Sequence, residues 1–498
     1  MGAVSSGQMR SLEAQAMQQG WTEETLMDLA GEQLGRALAC FFPIPGTAIA
    51  YIGKGHNAGD ALIALRVLRD HYGWQIFVRQ AYSEEDLTFL TRKKHAALGI
   101  VNPLTVAPSG QEMARPLLLI DGLLGIGAHG PLRSTLTELA KEINVLREQA
   151  GALVASVDLP SGVDPDSGEV YPGAVTADVT FMIGAAKEGL LRGNTATATG
   201  ALALVPLTPL HHQGEASVEL ISPQTCHFAK APRPFDFHKG QAGRVSLIAG
   251  SENYPGAAVM AATGALRGGA GLITLWVPHA IRDSVARKCP PEIIVRGMKR
   301  PQEAVELQYD AMVIGCGIGP IPPELLNDWR ELLSRATGPT VLDADALNFI
   351  ANNELHDQLA AHHIITPHPG EFARLAPDLK HLPREEIVRS FTNRHPATLL
   401  LKGSRTIVCQ GAGPLWINST GSPGMATGGQ GDLLSGVIAA ALAGGLPPVE
   451  AACHAAWLCG RAAERALLQP EISEQSLTPS DVAHHLGGAF KDWRCSLR

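Results

Sequence analysis

Positive charge, paired cysteines and long apolar runs are all scarce in this chain of 498 residues. Forty Lys and Arg stand against 48 Asp and Glu, a formal charge of −8 at pH 7, which excludes the basic stripe of a nucleic-acid binder. Eight cysteines (Cys40, Cys226, Cys289, Cys316, Cys409, Cys453, Cys459, Cys495) are scattered, with no Cys-x-x-Cys and no His at zinc-site spacing. They read as reduced thiols, so a cytoplasmic location is expected. The longest apolar run, near 437–446, is broken by Gly444 and Gly445 and is too short for a membrane span. The N-terminus lacks the charged-then-apolar pattern of a signal peptide. Charged residues make up only 18% of the chain, whereas glycine is abundant at 53. That balance suits α/β enzymes, whose strand-to-helix loops need small residues, and the length points to two domains or three.

The densest glycine cluster is 421–436, Gly-Ser-Pro-Gly-Met-Ala-Thr-Gly-Gly-Gln-Gly-Asp-Leu-Leu-Ser-Gly. Five glycines lead to one acid, Asp432, and the apolar run 433–442 predicts a buried helix immediately behind it. A glycine-rich loop opening a helix leaves the first backbone N–H groups unpaired, and with the helix dipole they form a site for phosphate or a developing anion. Asp432 is placed to take a proton from a hydroxyl held against that site. A plain turn and helix cap would use the same residues.

In the first half, spaced apolar positions (Leu12, Ala16, Leu26, Leu29, Ala30, Leu34, Leu38) predict two helices over 9–41. Thr22 reads as an N-cap ahead of Glu23 and Glu24. A strand at 48–52 runs into Gly53-Lys-Gly-His-Asn-Ala-Gly-Asp60, predicted as a loop, and then a helix through 61–68. Strand, turn and helix make a nucleotide site at the carboxyl end of a parallel sheet. The spacing is not Gly-x-Gly-x-x-Gly, so hydride chemistry is not implied. The pattern recurs where a strand at 117–120 meets Asp121-Gly-Leu-Leu-Gly-Ile-Gly127, and where one at 153–157 meets Asp158-Leu-Pro-Ser-Gly162. In a parallel sheet the polar ends near Asn57, Asp60, Asp121 and Asp158 meet on one rim; three independent caps would give the same pattern.

This ordered set, with Lys187-Glu-Gly-Leu190, spans about 10–205 and resembles the NAD(P)H-hydrate epimerases. The resemblance implies a Rossmann-like three-layer α/β domain over 1–215, with a potassium ion on Asn57, Asp121 and Ser161, oxygen ligands that suit a hard cation. It also implies a substrate pocket lined by His56, Asn57, Ala58, Gly59, Asp60, Gly125, Ile126, Gly127, Ala128, His129, Gly130 and Pro131, with Asp158 on the substrate as an acid–base group. His56 stands where the family usually has a second Asn, Ala58 and Gly122 replace a Gly and an Ala, and 128–131 reads Ala-His-Gly-Pro. His56 and Ala58 lie inside the substrate loop and bear on epimerase activity more than on fold.

Residues 206–240, interrupted by Pro206, Pro209, Pro223, Pro232 and Pro234, predict a linker or irregular crossover; His211 and His212 within it have no further ligand at fixed spacing. Strands are predicted at 244–249, 272–277, 311–314, 340–342, 364–365 and 398–401, with a helix at 257–266. Their ends carry Gly315-Cys-Gly-Ile-Gly319, Asp343-Ala-Asp345, Thr366-Pro-His-Pro-Gly-Glu371 and Lys402-Gly-Ser-Arg-Thr406. Gly317 and Gly319 permit close approach of a flat or phosphorylated ligand, and 402–406 offers a cation, a glycine and hydroxyls beside a phosphate. His368 is fixed between two prolines; Asp343 and Asp345 orient the loop or a magnesium-bound water, or cap the helix that follows.

Together with Gly-Met-Ala-x-Gly-Gly-x-Gly-Asp at 424–432, these motifs resemble the ADP/ATP-dependent NAD(P)H-hydrate dehydratases of the ribokinase-like superfamily, over about 235–490. The resemblance implies a ribokinase-like α/β domain over 226–498, with Ala257, Gly317, His368 and the base Asp432 on the hydrate. Lys402, Gly403, Ser404, Arg405, Thr406 and Gly431 would meet ADP or ATP, accompanied by Mg2+. Both halves then point to one substrate class, the C6 hydrates of NADH and NADPH (NADHX and NADPHX). The first half would interconvert the epimers and the second would phosphorylate the S epimer and eliminate phosphate. A homo-oligomer without nucleic-acid or membrane partners is implied as well. Two alternatives stay open: a vitamin-precursor kinase of the same superfamily, and a non-catalytic nucleotide-binding regulatory protein.

Overall fold

A computed structural model describes residues 2–99, 103–108, 113–210, 216–226, 228–229 and 232–495; His211 and His212 lie outside the described residues. The chain divides into two compact units, 1–220 and 221–497.

In the first unit six strands pair in parallel in the order Gln75–Gln80, Thr47–Ile52, Leu117–Gly122, Leu153–Val157, Val179–Ile183, Ala201–Val205. Side chains alternate across the sheet. Ala48, Ala50 and Ile52 join the core under helices Ser6–Gln18, Glu23–Phe41 and His56–Tyr72, whereas Ile49 and Tyr51 face Leu136, Leu139 and Ile143 of helix Ser134–Ala150. With both faces covered, the strands read as continuous apolar runs, and the unit has the three layers expected. Thr22 caps its helix by accepting the Thr25 N–H, with Glu23 and Glu24 in the first turn. One expectation fails locally: 56–60 is the first turn of a helix, not a loop. Gly55 serves as an extended N-cap, and the buried Ala58 and Gly59 press this turn against helix Glu23–Phe41, where Met27 fills the space beside Gly59.

The sheet of the second unit runs Ile293–Met298, Leu272–Pro278, Arg244–Ile248, Ala311–Ile314, Thr340–Leu342, His363–Ile365, Thr398–Leu401, all parallel. Two antiparallel strands follow, Ile407–Cys409 and Leu415–Asn418. These two and Ile293–Met298 were not predicted, because runs of three to six residues interrupted by polar or glycine positions carry no distinct period. Part of the stretch predicted as linker, Val218–Ile221, is also a strand; alternating apolar residues override the surrounding prolines. Val245, Leu247 and Ala249 face a core closed by helices Pro255–Arg267, Gln430–Ala443, Pro448–Ala466 and Pro479–Arg494. No residue of helices Leu326–Arg335, Asp345–Asn352, Pro369–Leu375 and Arg384–Arg394 is among the described members of that core, which fits the right-handed crossover rule that puts them on the other face. Among the described residues no helix is long and apolar enough to cross a membrane.

Strand order reverses direction once in each sheet, between Thr47–Ile52 and Leu117–Gly122, and between Arg244–Ile248 and Ala311–Ile314. Loops leaving the carboxyl ends of such a pair diverge to opposite faces and open a crevice. In the second unit that crevice adjoins the start of helix Gln430–Ala443, which packs backbone to backbone on helix Pro255–Arg267. A Cβ on Gly436 would stand 2.0 Å from the Ala261 carbonyl oxygen, and one on Gly264 2.2 Å from that of Leu433. Gly436→Val is expected to destabilise the protein by at least about 1–3 kcal/mol, the usual cost of overpacking. Gly487→Ala, in helix Pro479–Arg494 where an added Cβ meets nothing within 4 Å, should be neutral or mildly stabilising. Denaturant midpoints of the two variants test the contrast.

Candidate active sites

Helix Gln430–Ala443 starts two residues before Asp432, so the acid lies in its first turn and not ahead of it as predicted. Gly429 makes this possible: its left-handed backbone (φ 96°) turns the loop straight into the helix. The first helical hydrogen bond runs from Leu433 N–H to the Gly429 carbonyl, leaving the N–H groups of 430–432 without an intrahelical acceptor. Burial, then the neighbouring Asp343 carboxylate, push the Asp432 pKa up to about 7, against the pull of a Cys316 hydrogen bond and the Lys402 charge.

Asp343 leaves the end of strand Thr340–Leu342 and is almost wholly buried. It accepts hydrogen bonds from Lys402 Nζ at 2.9 Å and from Ser435 Oγ at 2.7 Å. Burial acts to raise its pKa, but the Lys402 charge and the hydrogen bonds from Lys402, Ser435 and Thr366 hold it below the ordinary carboxylate value. Lys402 also lies 3.9 Å from Glu371, and its ammonium is 3.2 Å from where a Cβ on Gly431 would stand. The cation from one strand end and the open helix N-terminus thus share one corner. Asp345 accepts the Gly319 N–H at 2.8 Å. The two acids are therefore committed to protein groups: Asp343 anchors Lys402, and Asp345 secures the glycine loop.

His368 is an N-cap. Its Nδ1 accepts the N–H groups of Gly370 and Glu371 at 3.0 and 3.3 Å, while half its side chain stays exposed. Gly317 faces Ala257, whose Cβ is 2.6 Å from where one on Gly317 would stand, and Ser251 Oγ donates to the Gly317 carbonyl. In 402–406, Gly403 and Ser404 are exposed whereas Arg405 is 5% exposed and turned into the protein. Arg384, unassigned in the sequence, grips this turn through the carbonyls of Leu401, Lys402 and Arg405.

On the rim of the first unit, Asn57 Nδ2 donates to the carbonyls of Leu124 at 2.7 Å and Val157 at 2.8 Å. Asp121, fully buried, accepts from Ser161 Oγ at 2.7 Å, Ser156 Oγ at 3.0 Å and the Ser161 and Leu123 N–H groups. Ser161 Oγ in turn accepts the Leu124 N–H at 3.1 Å, so Asn57, Asp121 and Ser161 lie around one loop. Asp121 has neutral hydrogen-bond partners throughout, and burial raises its pKa.

Asp158 adopts a left-handed backbone (φ 67°), a conformation costly for a residue with a side chain. Its Oδ1 accepts the Ile183 N–H at 3.0 Å and forms an ion pair with Lys187, which is fully buried and also donates to the Ile183 carbonyl at 2.7 Å. Burial, then the Asp158 carboxylate, raise the pKa values of Asp60 and of Glu13, Asp60 well above its ordinary value. On the exposed loop 125–131, His129 lies 3.0 Å from Asp164; burial acts to raise Asp164, but hydrogen bonds from the Ser167 N–H, His129 and the Asp166 N–H hold it at about 2. Glu13 and Arg384 reach these sites from segments whose local sequence gives no motif, so only the fold reveals them. Lys187 stood inside a motif but without a role; a lone Lys in an apolar, glycine-rich stretch was the available signal.

Residues 245–485 match the family described as NAD(P)H-hydrate dehydratase, and 23–189 that described as YjeF-related protein N-terminus. The Bifunctional NAD(P)H-hydrate repair enzyme Nnr of Gloeobacter violaceus is 33% identical over 483 residues, 93% of this chain and 92% of that one. Its counterpart in Synechocystis is 32% identical over 461 residues, 88% and 85% of the two chains. A solved ribokinase-like superfamily protein from Enterococcus faecalis matches 57% of this chain and 99% of its own, with 26% identity and a TM-score of 0.50.

Asp432 has a higher pKa folded than its ordinary 3.8, so between about pH 4 and 7 the folded state binds more protons and this group's contribution to stability falls as pH rises. Asp432→Asn should therefore raise the melting temperature near pH 8 and change it little near pH 4. An unchanged melting temperature near pH 8 would show that ionising Asp432 costs the fold nothing.

Proposed function

The chain belongs to the family of bifunctional NAD(P)H-hydrate repair enzymes, and on that premise we propose how its two units divide the reaction. The enzyme restores hydrated NADH and NADPH, epimerising the R and S hydrates at C6 and dehydrating the S epimer at the expense of ADP or ATP. A match along both halves to one family disfavours a vitamin-precursor kinase joined to an unrelated domain, or a non-catalytic regulator.

The second unit carries the dehydratase on our reading, and one observation supports it most: a half-buried carboxylate with a pKa of about 7 on the first turn of a helix whose open N–H groups adjoin a lysine. Asp432 takes the proton of the C6 hydroxyl as its oxygen attacks the terminal phosphorus. The N–H groups of 430–432 and Lys402 hold the charge on the transferring phosphoryl group. The C6–O bond then breaks with phosphate as leaving group and C5 gives up a proton, which restores the double bond. Ala257, Gly317 and the Nε2 edge of His368 would face the hydrate, and the exposed backbone at Gly403 and Ser404, with Thr406 and Gly431, the nucleotide. Arg405 serves there through its backbone, its side chain being buried. Mg2+ would arrive on the nucleotide phosphates; among the described residues no group of three His, Cys, Asp or Glu forms a cage for it.

The first unit carries the epimerase. Its partners engage Asp158 at Oδ1, which leaves Oδ2 for the C6 hydroxyl. That hydroxyl sits on a carbon bonded to the ring nitrogen, so protonating it lets water leave with help from the nitrogen lone pair and return on the other face. Asn57, Asp121 and Ser161 would hold potassium. The fit rests on Asp121, a buried carboxylate with neutral hydrogen-bond partners throughout, where a monovalent cation supplies the missing counter-charge. Of the two departures in 56–60, Ala58 is absorbed as a buried helical residue, so the difference in pocket chemistry falls to the exposed His56. No disulfide joins any of the eight cysteines, which suits a cytoplasmic setting.

With S hydrate, ATP and Mg2+, NADH recovery followed at 340 nm should decline as pH falls through about 7, and Asp432→Asn should lower it by about 10² to 10⁴. Chromatography should show epimer interconversion unaffected. Asp158→Asn should give the converse, slow repair of R hydrate with full-rate repair of S. Retention of NADH recovery by Asp432→Asn would reduce that residue to a helix-turn acid. Potassium should raise the melting temperature more than lithium at equal ionic strength, a difference that Ser161→Ala reduces and Asp121→Asn removes. Equal responses to the two ions would remove potassium from the reading.

A further inference from the structure

Arg384 opens helix Arg384–Arg394 and reaches the turn that follows strand Thr398–Leu401. Its Nη2 donates to three carbonyls there, those of Leu401 at 3.4 Å, Lys402 at 3.2 Å and Arg405 at 3.2 Å. The guanidinium fills the space beside Gly403, where an added Cβ would stand 2.1 Å from Nη1 and 2.6 Å from Nη2. Among the described residues no protein group bonds to Nη1, and Nε is buried without a partner. No carboxylate pairs with Arg384 there either; burial lowers its pKa, with the Glu385 charge acting against that shift. Arg79, Arg147 and Arg461, also partly buried, each meet a carboxylate, at 3.0, 2.7 and 2.7 Å. Carbonyl oxygens satisfy the donors of a cation without cancelling its charge. Arg384 is thus a guanidinium without a counter-ion, set under a turn that is exposed at Gly403 and Ser404.

We propose that Arg384 is a further nucleotide-binding residue of the dehydratase: its Nη1 edge takes an oxygen of a phosphate that stays on ADP or ATP during transfer. The inference rests on the turn at 402–406 being the nucleotide site. Placement decides which phosphate it meets. Lys402 sends its ammonium away from the turn, to 2.9 Å from Asp343 and beside Gly431, where the transferring group lies on our reading. Arg384 stays at the backbone of the turn and so meets the phosphates further back. These gain negative charge as their bond to the transferring phosphorus breaks, and a fixed cation steadies that charge. Its three carbonyl partners hold the planar fork in place beforehand, so little side-chain freedom is lost when a phosphate arrives.

The test is equilibrium dialysis of the full chain against ADP with Mg2+ and, separately, against adenosine. Adenosine lacks the phosphates, so the ratio of the adenosine Kd to the ADP Kd reads their contacts alone. Arg384→Gln should lower that ratio by about 10- to 100-fold, the usual worth of a hydrogen bond to a charged group. Arg384→Lys keeps the charge without the fork and should lower it by about 3- to 10-fold. A wild-type ratio in Arg384→Gln, whether both ligands weaken alike or neither does, would overturn the proposal and reduce Arg384 to a brace for the turn. If Arg384→Gln does not fold, Arg384→Lys decides alone, since an unchanged ratio there contradicts the phosphate contact. Ser404→Trp, which fills the exposed face of the turn, separates the two readings. ADP binding that survives in that variant means that the nucleotide lies elsewhere, and both readings fall. ADP binding lost there, with wild-type ratios in the Arg384 variants, means that only the role of Arg384 has failed.

Discussion

The buried pair of Asp343 and Lys402 is the interaction on which the second site depends. Taking either charge out of water alone costs several kcal/mol, so each is tolerable only beside the other. Asp343 reaches further than its ion pair. It also accepts the hydroxyl of Ser435, one turn along the helix that begins beside Asp432. One carboxylate therefore ties together two strand ends and one helix start. The negative charge so trapped is also what, after burial itself, raises Asp432 toward a pKa suited to a base. Structural anchoring and chemical tuning come from the same atom group.

The first unit meets the cost of buried charge in two ways. Asp158 is paired with Lys187, and the pair is locked further by both backbone groups of Ile183. Asp121 is surrounded by hydroxyl and N–H donors alone. Such donors satisfy the lone pairs of a carboxylate without cancelling its charge, and that uncancelled charge is the ground of the cation proposed there.

Much of this was readable from residue order because doubly wound sheets place their loops by rule. Strands Ala311–Ile314, Thr340–Leu342 and Thr398–Leu401 follow from short apolar runs ended by polar or glycine turns, and the rule that ligands gather at the carboxyl ends brings Asp343, Lys402 and Asp432 together without coordinates. What escaped was set by tertiary contacts. The helix start at Gln430 depends on Gly429 adopting one left-handed conformation, and the helical turn at 56–60 on burial of Ala58 and Gly59. The sequence marks the glycines but not which of them turns. The pairing of Lys187 with Asp158 spans residues far apart in the chain, so no local period could announce it.

On the proposed division of labour, the contrast between the two sites follows from how the same hydroxyl is asked to leave C6. In the first unit it must depart as water and return, so the step needs protons delivered and recovered. The rim there carries Asp60 and Glu13, both biased toward their protonated forms, beside the ion-paired Asp158. In the second unit the hydroxyl is first turned into a phosphate, so the step needs a base and a place for anionic charge. That site supplies one raised carboxylate, a lysine and the open end of a helix. A second proton donor would oppose the attack there, and an anion hole in the first unit would have no developing anion to hold. The distribution of charge in each crevice is therefore a consequence of the leaving group, carried on two sheets whose strand order opens the crevice in the same way.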